Sequence, residues 1–195
     1  MEAIFSRIYR DDLWRDGESR SGWGSTLERT DDIRRELPPL LRRLGVKSLL
    51  DAPCGDWNWM REVDLAGVEY TGIDVVREII AINRRRYGRP GKTFLSLDFT
   101  REPVPSADAI LCRETLIHLS LADGLKVLEN FKRSGARYLL ISNYPAVREN
   151  TDVLTGHWRK LNMELAPFGL APPIESIAER AVGGLCLGVW RMADL

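Results

Sequence analysis

Short apolar runs of strand length alternate with amphipathic segments of helical length through the middle of the chain. The five runs and the polar residues that follow them are 46–50 before Asp51, 68–73 before Asp74, 93–97 before Asp98, 107–112 before Arg113 and 138–142 before Asn143. The helical pattern is clearest at 75–87 and 121–133. Strands that alternate with helices predict a mainly parallel sheet covered by helices.

The two ends of the chain depart from this alternation. Segment 27–44 is amphipathic, and Pro38 and Pro39 predict that it divides into two helices. A loop-like stretch at 144–173 is followed by two predicted strands, 174–178 and 185–191, with no helix between them. We expect these two strands to pair antiparallel at one edge of the sheet.

Composition narrows the classes of partner and site. The 195 residues fit one domain, and 28 Lys plus Arg against 28 Asp plus Glu give zero net charge, which disfavours nucleic acid as a partner. No apolar stretch is long enough for a membrane span or a signal peptide, so we expect a cytoplasmic protein without a membrane partner. Cys54, Cys112 and Cys186 lie far apart, and we expect neither a disulfide framework nor a metal site.

The turn after the first predicted strand has the chemistry of a nucleotide-binding loop. Gly55 lies in this turn, and Asp74 follows Asp51 at the spacing of an acid that binds ribose hydroxyls. Pyrophosphate loops need several glycines, whereas this turn has one glycine and two acids, Asp51 and Asp56. The pattern therefore favours an adenosine-containing cofactor with a cationic group.

These motifs resemble those of class I S-adenosylmethionine-dependent methyltransferases. The matching segments, in order, are 49–56, 70–74, 97–99 and 107–119. The resemblance implies a Rossmann-like, doubly wound α/β sheet of seven strands, order 3-2-1-4-5-7-6, with a C-terminal antiparallel pair. It also implies one domain, 1–195, made of an N-terminal helical cap (1–45), a cofactor-binding core (46–143) and a substrate loop with the terminal strand pair (144–195).

The resemblance further implies S-adenosyl-L-methionine as cofactor and a set of residues around it. Backbone at 52–55 would face the methionine part, Asp74 the ribose diol, Asp98 and Phe99 the adenine, and Arg113 would lie beside the sulfonium. The full predicted set is Trp14, Ser21, Gly22, Ser25, Thr26, Asp51, Ala52, Pro53, Cys54, Gly55, Asp56, Trp57, Asp74, Val75, Asp98, Phe99 and Arg113. Pro53 and Trp57 stand where the family usually has glycine, and Trp57 either covers the cofactor or packs in the core. The three strand-end aspartates have an alternative role as capping or turn-fixing residues.

Segment 18–26 is rich in small and hydrogen-bonding residues. We expect Ser21, Gly22, Ser25 and Thr26, together with Trp14, to form a lid that excludes water from the cofactor. The alternative is a flexible loop in which Ser25 or Thr26 caps a helix.

Two side chains are candidates for catalysis of methyl transfer, which needs alignment, a dry pocket and a base for a protonated acceptor, but no metal. If a helix follows the fourth strand, Glu114 and His118 share one of its faces. His118 could act as the base at neutral pH, or it could be a packing residue behind the cofactor.

The acceptor is predicted to be a small molecule methylated on an O or N atom. The loop at 144–173 is expected to help bind it through Arg148, Glu149, Asn150, His157, Trp158, Asn162 and Glu164. The basic run at 83–89 is interpreted as a solvated helix end. Three alternatives remain open: an NAD(P)-dependent oxidoreductase, a non-catalytic cofactor-binding protein, and a methyltransferase acting on protein or peptide.

Overall fold

A single seven-stranded sheet of order β3-β2-β1-β4-β5-β7-β6 forms the centre of the computed structural model, which describes residues 1–14 and 16–195. Its strands are β1 Ser48–Asp51, β2 Glu69–Asp74, β3 Lys92–Ser96, β4 Ala109–Cys112, β5 Tyr138–Asn143, β6 Glu175–Glu179 and β7 Leu185–Arg191. The predicted strand order and fold class are confirmed. No predicted strand end is displaced by more than two residues.

The described residues form four α-helices: α1 Glu2–Arg10, α2 Asp31–Arg43, α3 Arg77–Tyr87 and α4 Leu121–Arg133. Helix α2 packs on one face, where Ile33 and Leu41 meet β1 and β4 side chains. Helix α4 packs on the other face through Val127 and Phe131. The sheet is thus buried on both sides, as a parallel sheet requires.

Parallel pairing brings the polar strand ends to one edge of the sheet. Asp51 at the end of β1 aligns with Gly72 of β2 and with Leu111 of β4. Strand β7 runs antiparallel between β5 and β6. This confirms the predicted antiparallel pair of C-terminal strands, in which β6 forms the edge of the sheet. The edge that carries Asp51 and Asp74 is where open α/β sheets bind their ligands.

The prediction of two helices at 27–44 is wrong, because α2 continues through Pro38 and Pro39. A proline inside a helix costs roughly 3 kcal/mol. Four side chains offset this cost, since full burial of an aliphatic side chain contributes about 1.5–3 kcal/mol. They are no more than 1% exposed against the sheet: Ile33, Leu37, Leu40 and Leu41.

Across the described residues, the helices are all too short or too polar to cross a membrane.

Candidate functional site

A cavity of about 480 Å³ opens at the carboxyl edge of the parallel strands. It lies where β1 and β4 adjoin, the point at which strand order reverses. Most of the predicted site residues line it: Trp14, Ser21, Gly22, Ser25, Asp51, Pro53, Cys54, Gly55, Asp74, Val75, Asp98, Phe99, Arg113, Glu114 and His118. Four others do not, namely Thr26, Ala52, Asp56 and Trp57.

Asp74 is held in place by backbone donors at the end of β2. The amide of Val76 donates to Oδ1 over 2.9 Å, and the amide of Gly55 donates to Oδ2 over 3.2 Å. Burial raises the pKa of Asp74 to about 6, against the lowering effect of these backbone hydrogen bonds. Two lone-pair positions remain on a fixed carboxylate, which suits it to accept hydrogen bonds from a pair of neighbouring hydroxyls.

Asp51 is buried at the floor of the cavity. The Tyr70 hydroxyl donates to Oδ2 of Asp51 over 2.6 Å. Burial raises the pKa of Asp51 to about 7, the Tyr70 hydrogen bond opposes that rise, and the charge of Asp74 adds to it. A cationic ligand group at this position would stabilise both carboxylates in their charged form.

The Gly55 peptide is fixed on both sides. Its amide reaches Asp74, and its carbonyl accepts a 2.8 Å hydrogen bond from Nδ2 of Asn83 on α3. Asn83 was not predicted as a site residue, because it lies in the basic run interpreted as a solvated helix end. It is 1% exposed, whereas the neighbouring Arg84 and Arg85 are exposed. Its position on the buried face of α3 was the available signal.

Gly55 is required for a reason that the sequence did not indicate. Its φ is +52°, and a Cβ there would lie 2.3 Å from Oγ of Ser21. The close approach is therefore made by the N-terminal segment. Ser21 Oγ accepts a 2.9 Å hydrogen bond from the Asp56 amide, and Ser19 Oγ and the Arg20 amide donate to the Asp56 carboxylate. Asp56 thus anchors residues 19–21 over the loop, and its predicted role beside the cofactor is not supported.

The remaining three residues outside the cavity have structural positions. The Trp57 indole packs among Tyr70, Tyr87 and Phe94, with ring centroids 4.7–5.6 Å away, so the expectation that it covers the cofactor is wrong. Thr26 donates from its hydroxyl to the Trp23 carbonyl over 3.1 Å, whereas the N-cap position of α2 is Thr30. Ala52 is fully buried in the core beneath the loop.

The loop after β3 combines a turn and an aromatic wall. Asp98 accepts hydrogen bonds from the amide and the hydroxyl of Thr100, so it fixes its own turn while still lining the cavity. Phe99 lies beside it, and Asn130 of α4 donates to the Phe99 carbonyl over 2.8 Å. Both predicted residues are therefore present at the cavity, and Asp98 also has the turn-fixing contacts of the alternative interpretation.

Arg113 joins three parts of the chain. Its Nη2 lies 2.6 Å from Oε2 of Glu179 at the end of β6, and its Nη1 donates to the Gly24 carbonyl over 2.8 Å. Both partners of the ion pair are buried, with side-chain exposures of 4% and 0%. The cationic charge near the cavity is thereby compensated, and the guanidinium fixes the N-terminal segment at Gly24.

Glu114 combines a strained backbone with a hydrogen-bonded carboxylate that lines the cavity. Its backbone is left-handed, with φ of 53°, and its amide donates to Ser142 Oγ over 2.7 Å. The Tyr144 hydroxyl donates to the Glu114 carboxylate over 3.0 Å. Burial raises the pKa of Glu114, which the neighbouring Arg113 opposes. Such strain in a non-glycine residue is typical of functional sites.

The prediction that Glu114 and His118 lie on the same face of a helix is wrong. Only a short 3-10 helix, Leu116–His118, follows β4, and Glu114 lies before it. His118 Nδ1 lies 2.9 Å from the His157 carbonyl, and its ring lies 4.8 Å from that of Trp14. Burial lowers the pKa of His118 to about 4, so the ring is neutral at pH 7 and a weak base. The packing alternative fits these contacts better.

The loop at 144–173 supplies fewer cavity residues than expected. Trp158 lines the cavity, as do Tyr144 and Lys160, which the sequence analysis did not single out. Asn150 and Asn162 instead brace the loop, because Asn150 Nδ2 donates to the Asn162 carbonyl and the Asn162 amide donates back to Asn150. The predicted residues that do not line the cavity are Arg148, Glu149, Asn150, His157, Asn162 and Glu164.

Helix α1 also covers the cavity and was missed as an element. Phe5 and Tyr9 line it, and together with Met1 they pack on Val76 and Ile79 at the start of α3. Their spacing of four residues, with Met1 four residues before Phe5, is the helical signal that could have found them. Trp23, Gly24 and Trp59 complete the wall beside Arg113.

Comparison with known proteins agrees with this architecture. The sequence model of a methyltransferase domain family matches residues 50–137. No curated protein matches the chain in sequence.

Solved structures share the fold at low identity. Human N-acetylserotonin methyltransferase in complex with SAM is 14% identical with a TM-score of 0.66; the alignment covers 96% of this chain but only 58% of that protein. Burkholderia thailandensis 1,6-didemethyltoxoflavin-N1-methyltransferase is 17% identical with a TM-score of 0.67, covering 97% and 86% of the two chains. Magnesium protoporphyrin IX methyltransferase from Synechocystis PCC 6803 is 14% identical with a TM-score of 0.62, covering 96% and 95%. Residues 50–137 thus match a methyltransferase domain, and the chain shares the fold of these three methyltransferases of known structure.

Proposed function

We propose that this protein transfers a methyl group from S-adenosylmethionine to an O or N atom of a small molecule. The observation that carries the proposal is one cavity lined by Asp51 and Asp74, at the ends of β1 and β2, and by Glu114, which follows β4. The first pair has the charge and hydrogen-bonding capacity for a cationic, ribose-containing cofactor. Glu114 lies where an acceptor would lose its proton.

In this proposal the three parts of the chain have separate roles. Segment 46–143 binds the cofactor, with Asp74 on the ribose hydroxyls, Gly55 beside the methionine part, and Asp98 with Phe99 at the adenine. Residues 1–45 cover it through α1 and the segment anchored on Asp56. Residues 144–195 contribute Tyr144, Trp158 and Lys160 to the acceptor end.

The bound cofactor would supply a methyl group on a positively charged sulfur. The protein holds the acceptor in line with that methyl carbon and keeps water out. With Asp74 and Gly55 holding the cofactor, the acceptor lone pair would take up the methyl carbon, and the electron pair of the broken carbon–sulfur bond would remain with the cofactor. The acceptor proton moves to the Glu114 carboxylate, so one positive and one negative charge disappear together. Glu114 is a better candidate base than His118, since its pKa is raised and that of His118 is lowered to about 4.

A small acceptor fits the enclosed volume of the cavity better than a folded protein or a nucleic acid strand does. The named substrates of three structural neighbours are also small molecules. A cytoplasmic location is part of the proposal and rests on the three free thiols of Cys54, Cys112 and Cys186.

Calorimetry with S-adenosylhomocysteine, S-adenosylmethionine and NAD tests the proposal. We expect the first two to bind with micromolar or tighter dissociation constants and NAD not to bind. Mass spectrometry of acceptor mixtures incubated with protein and S-adenosylmethionine should then detect methylated products. Binding of NAD alone would favour the oxidoreductase, and cofactor binding without any product would favour the non-catalytic alternative.

Cofactor affinity is expected to rise with pH. Because burial raises the pKa of Asp51 to about 7 and of Asp74 to about 6, the free protein holds protons on these groups in mildly acidic solution. A cationic ligand requires the carboxylates to ionise, so binding must release protons below pH 7. We expect affinity for S-adenosylmethionine, whose sulfur is positively charged, to increase roughly tenfold from about pH 5.5 to 7.5. Calorimetry at several pH values measures this slope, and a flat profile in wild type, or an unchanged slope in Asp51→Asn, would contradict it.

A further inference from the structure

Two tryptophans at the cavity leave much of their indole surface uncovered by protein. Trp23 is 54% exposed and Trp158 is 55% exposed, and both line the cavity. Large aromatic side chains are usually well buried, so paired exposure in one concave site is unusual. Their position on the lining, combined with this exposure, places both at the cavity mouth.

The exposure of Trp158 does not come from a loose backbone. On one side of it, the Gly156 amide donates to the His118 carbonyl over 2.8 Å. On the other side, the Arg159 amide donates to the Ile117 carbonyl over 3.1 Å. The indole therefore projects from a segment fixed to the residues after β4.

Trp23 is fixed in a similar way. Arg113 holds the adjacent Gly24 carbonyl, and the Thr26 amide donates to the Trp23 carbonyl. The guanidinium carbon of Arg29 lies 3.2 Å from the centroid of the Trp23 ring, so one face of the indole is covered. Because Trp23 is still 54% exposed, indole surface remains for contact with another planar group.

The polar groups at this end of the cavity are nearly all paired within the protein. Arg113 is bound to Glu179, and Lys160 Nζ donates to the Gly183 carbonyl over 3.1 Å. Glu114 receives the Tyr144 hydroxyl, but an ionised carboxylate has about four acceptor positions. Among the cavity residues that the structure describes at this end, Glu114 is thus the carboxylate with acceptor capacity left for a ligand.

We infer that the acceptor is a planar aromatic molecule whose ring-borne N–H or O–H donates to Glu114 while its ring lies against Trp23 and Trp158. This inference rests on the proposed function and specifies its substrate class. Aromatic stacking strengthens binding by roughly 2- to 12-fold per ring pair beyond the effect of buried area, and a saturated ring of the same size does not obtain this gain. The hydrogen bond to Glu114 directs the nitrogen or oxygen that is methylated towards the base.

The test compares matched probes on protein saturated with S-adenosylhomocysteine. The probes are 1-naphthol, 1-naphthylamine, naphthalene and the saturated decahydro-1-naphthol, with binding followed by ligand-observed NMR titration. We expect the two donor-bearing aromatics to bind at least tenfold more tightly than the saturated alcohol. Trp158→Ala and Trp23→Ala should each weaken them about fivefold or more, and Trp158→Phe should restore most of that loss.

Two further variants separate stacking from hydrogen bonding. Glu114→Gln should weaken 1-naphthol and 1-naphthylamine but leave naphthalene unchanged. Leu154→Ala is the matched surface control, since Leu154 is 75% exposed in the same loop and does not line the cavity. It should change no affinity.

Affinity for S-adenosylhomocysteine distinguishes the two levels of proposal. If it binds normally but the saturated probe binds as well as the aromatics, the aromatic acceptor is wrong and the methyltransferase proposal stands. The aromatic acceptor is also wrong if no aromatic probe binds, or if the Trp23 and Trp158 variants bind the aromatic probes as tightly as wild type does. If S-adenosylhomocysteine itself fails to bind, the proposed function fails first.

Discussion

Replacing Asp74 by asparagine is expected to weaken S-adenosylhomocysteine binding by about 1–3 kcal/mol and to stabilise the free protein at neutral pH. Affinity falls because the amide removes the charge and one of the two oxygen atoms offered to the ribose hydroxyls. The remaining oxygen can accept from either Gly55 or Val76, whereas the aspartate accepts from both. Stability should nevertheless increase at neutral pH, because asparagine removes a buried charge. Binding and stability should then change in opposite directions.

The sign of the stability change follows from the direction of the pKa shift. Burial raises the pKa of Asp74 to about 6 from its ordinary value of 3.8, so the folded protein holds this proton more tightly than the unfolded chain. Ionised Asp74 then destabilises the fold, and this cost is absent below about pH 4 and complete above about pH 6. The asparagine side chain of the variant cannot ionise, so we expect a gain on the order of 1 kcal/mol at pH 7.5 and none at pH 4.

Denaturant unfolding of the free protein at both pH values, with calorimetry at pH 7.5, measures the two effects. Asp64→Asn is a suitable control, because Asp64 is exposed and accepts only the nearby Ala66 amide. Undiminished cofactor affinity in the Asp74→Asn variant would remove Asp74 from the site. Equal destabilisation at both pH values would instead mean that its hydrogen bonds outweigh its charge.

The cofactor half of the cavity was predictable from sequence because its geometry is local. Asp51, Gly55 and Asp74 belong to one strand–loop–strand unit, and parallel pairing alone brings their strand ends together. The spacing of the apolar runs therefore indicated both the sheet and the position of these residues. The prediction that Trp57 covers the cofactor failed. Trp57 stands where the methyltransferases that this sequence resembles usually have glycine, it keeps the left-handed backbone with φ of 61°, and its indole packs in the core.

Contacts between distant segments were not predictable in this way. Arg113 and Glu179 are 66 positions apart and pair only because the tertiary fold brings the end of β6 to the residue that follows β4. Asp56 binds residues 19–21 for a similar reason, and its charge gave no indication of this role. The two prolines of α2 led to a wrong prediction for the opposite reason. The local cost of proline inside a helix is outweighed by burial of the apolar face of α2 in the tertiary structure.

Glu114→Gln is expected to reduce turnover by about 10²–10⁴-fold while affinity for S-adenosylhomocysteine stays within about twofold of wild type. Glutamine preserves the size of the side chain and can still accept from the Tyr144 hydroxyl, so the cavity should keep its shape. It cannot take up the acceptor proton. His118→Gln should lower turnover far less, because the contacts of His118 with Trp14 and the His157 carbonyl are packing contacts.

The pH dependence of turnover provides the control for this assignment. Burial raises the pKa of Glu114 and the Tyr144 hydrogen bond lowers it, so the rate should increase as Glu114 ionises. Tyr144→Phe removes the lowering contact and should move that ascending limb to higher pH, an effect that mere loss of packing would not produce. Single-turnover rates with an unmethylated acceptor that the wild-type protein methylates measure both effects. Full activity in Glu114→Gln, together with a large loss in His118→Gln, would assign the role of base to His118. The pKa of His118 would then have to be higher in the complex than in the free protein.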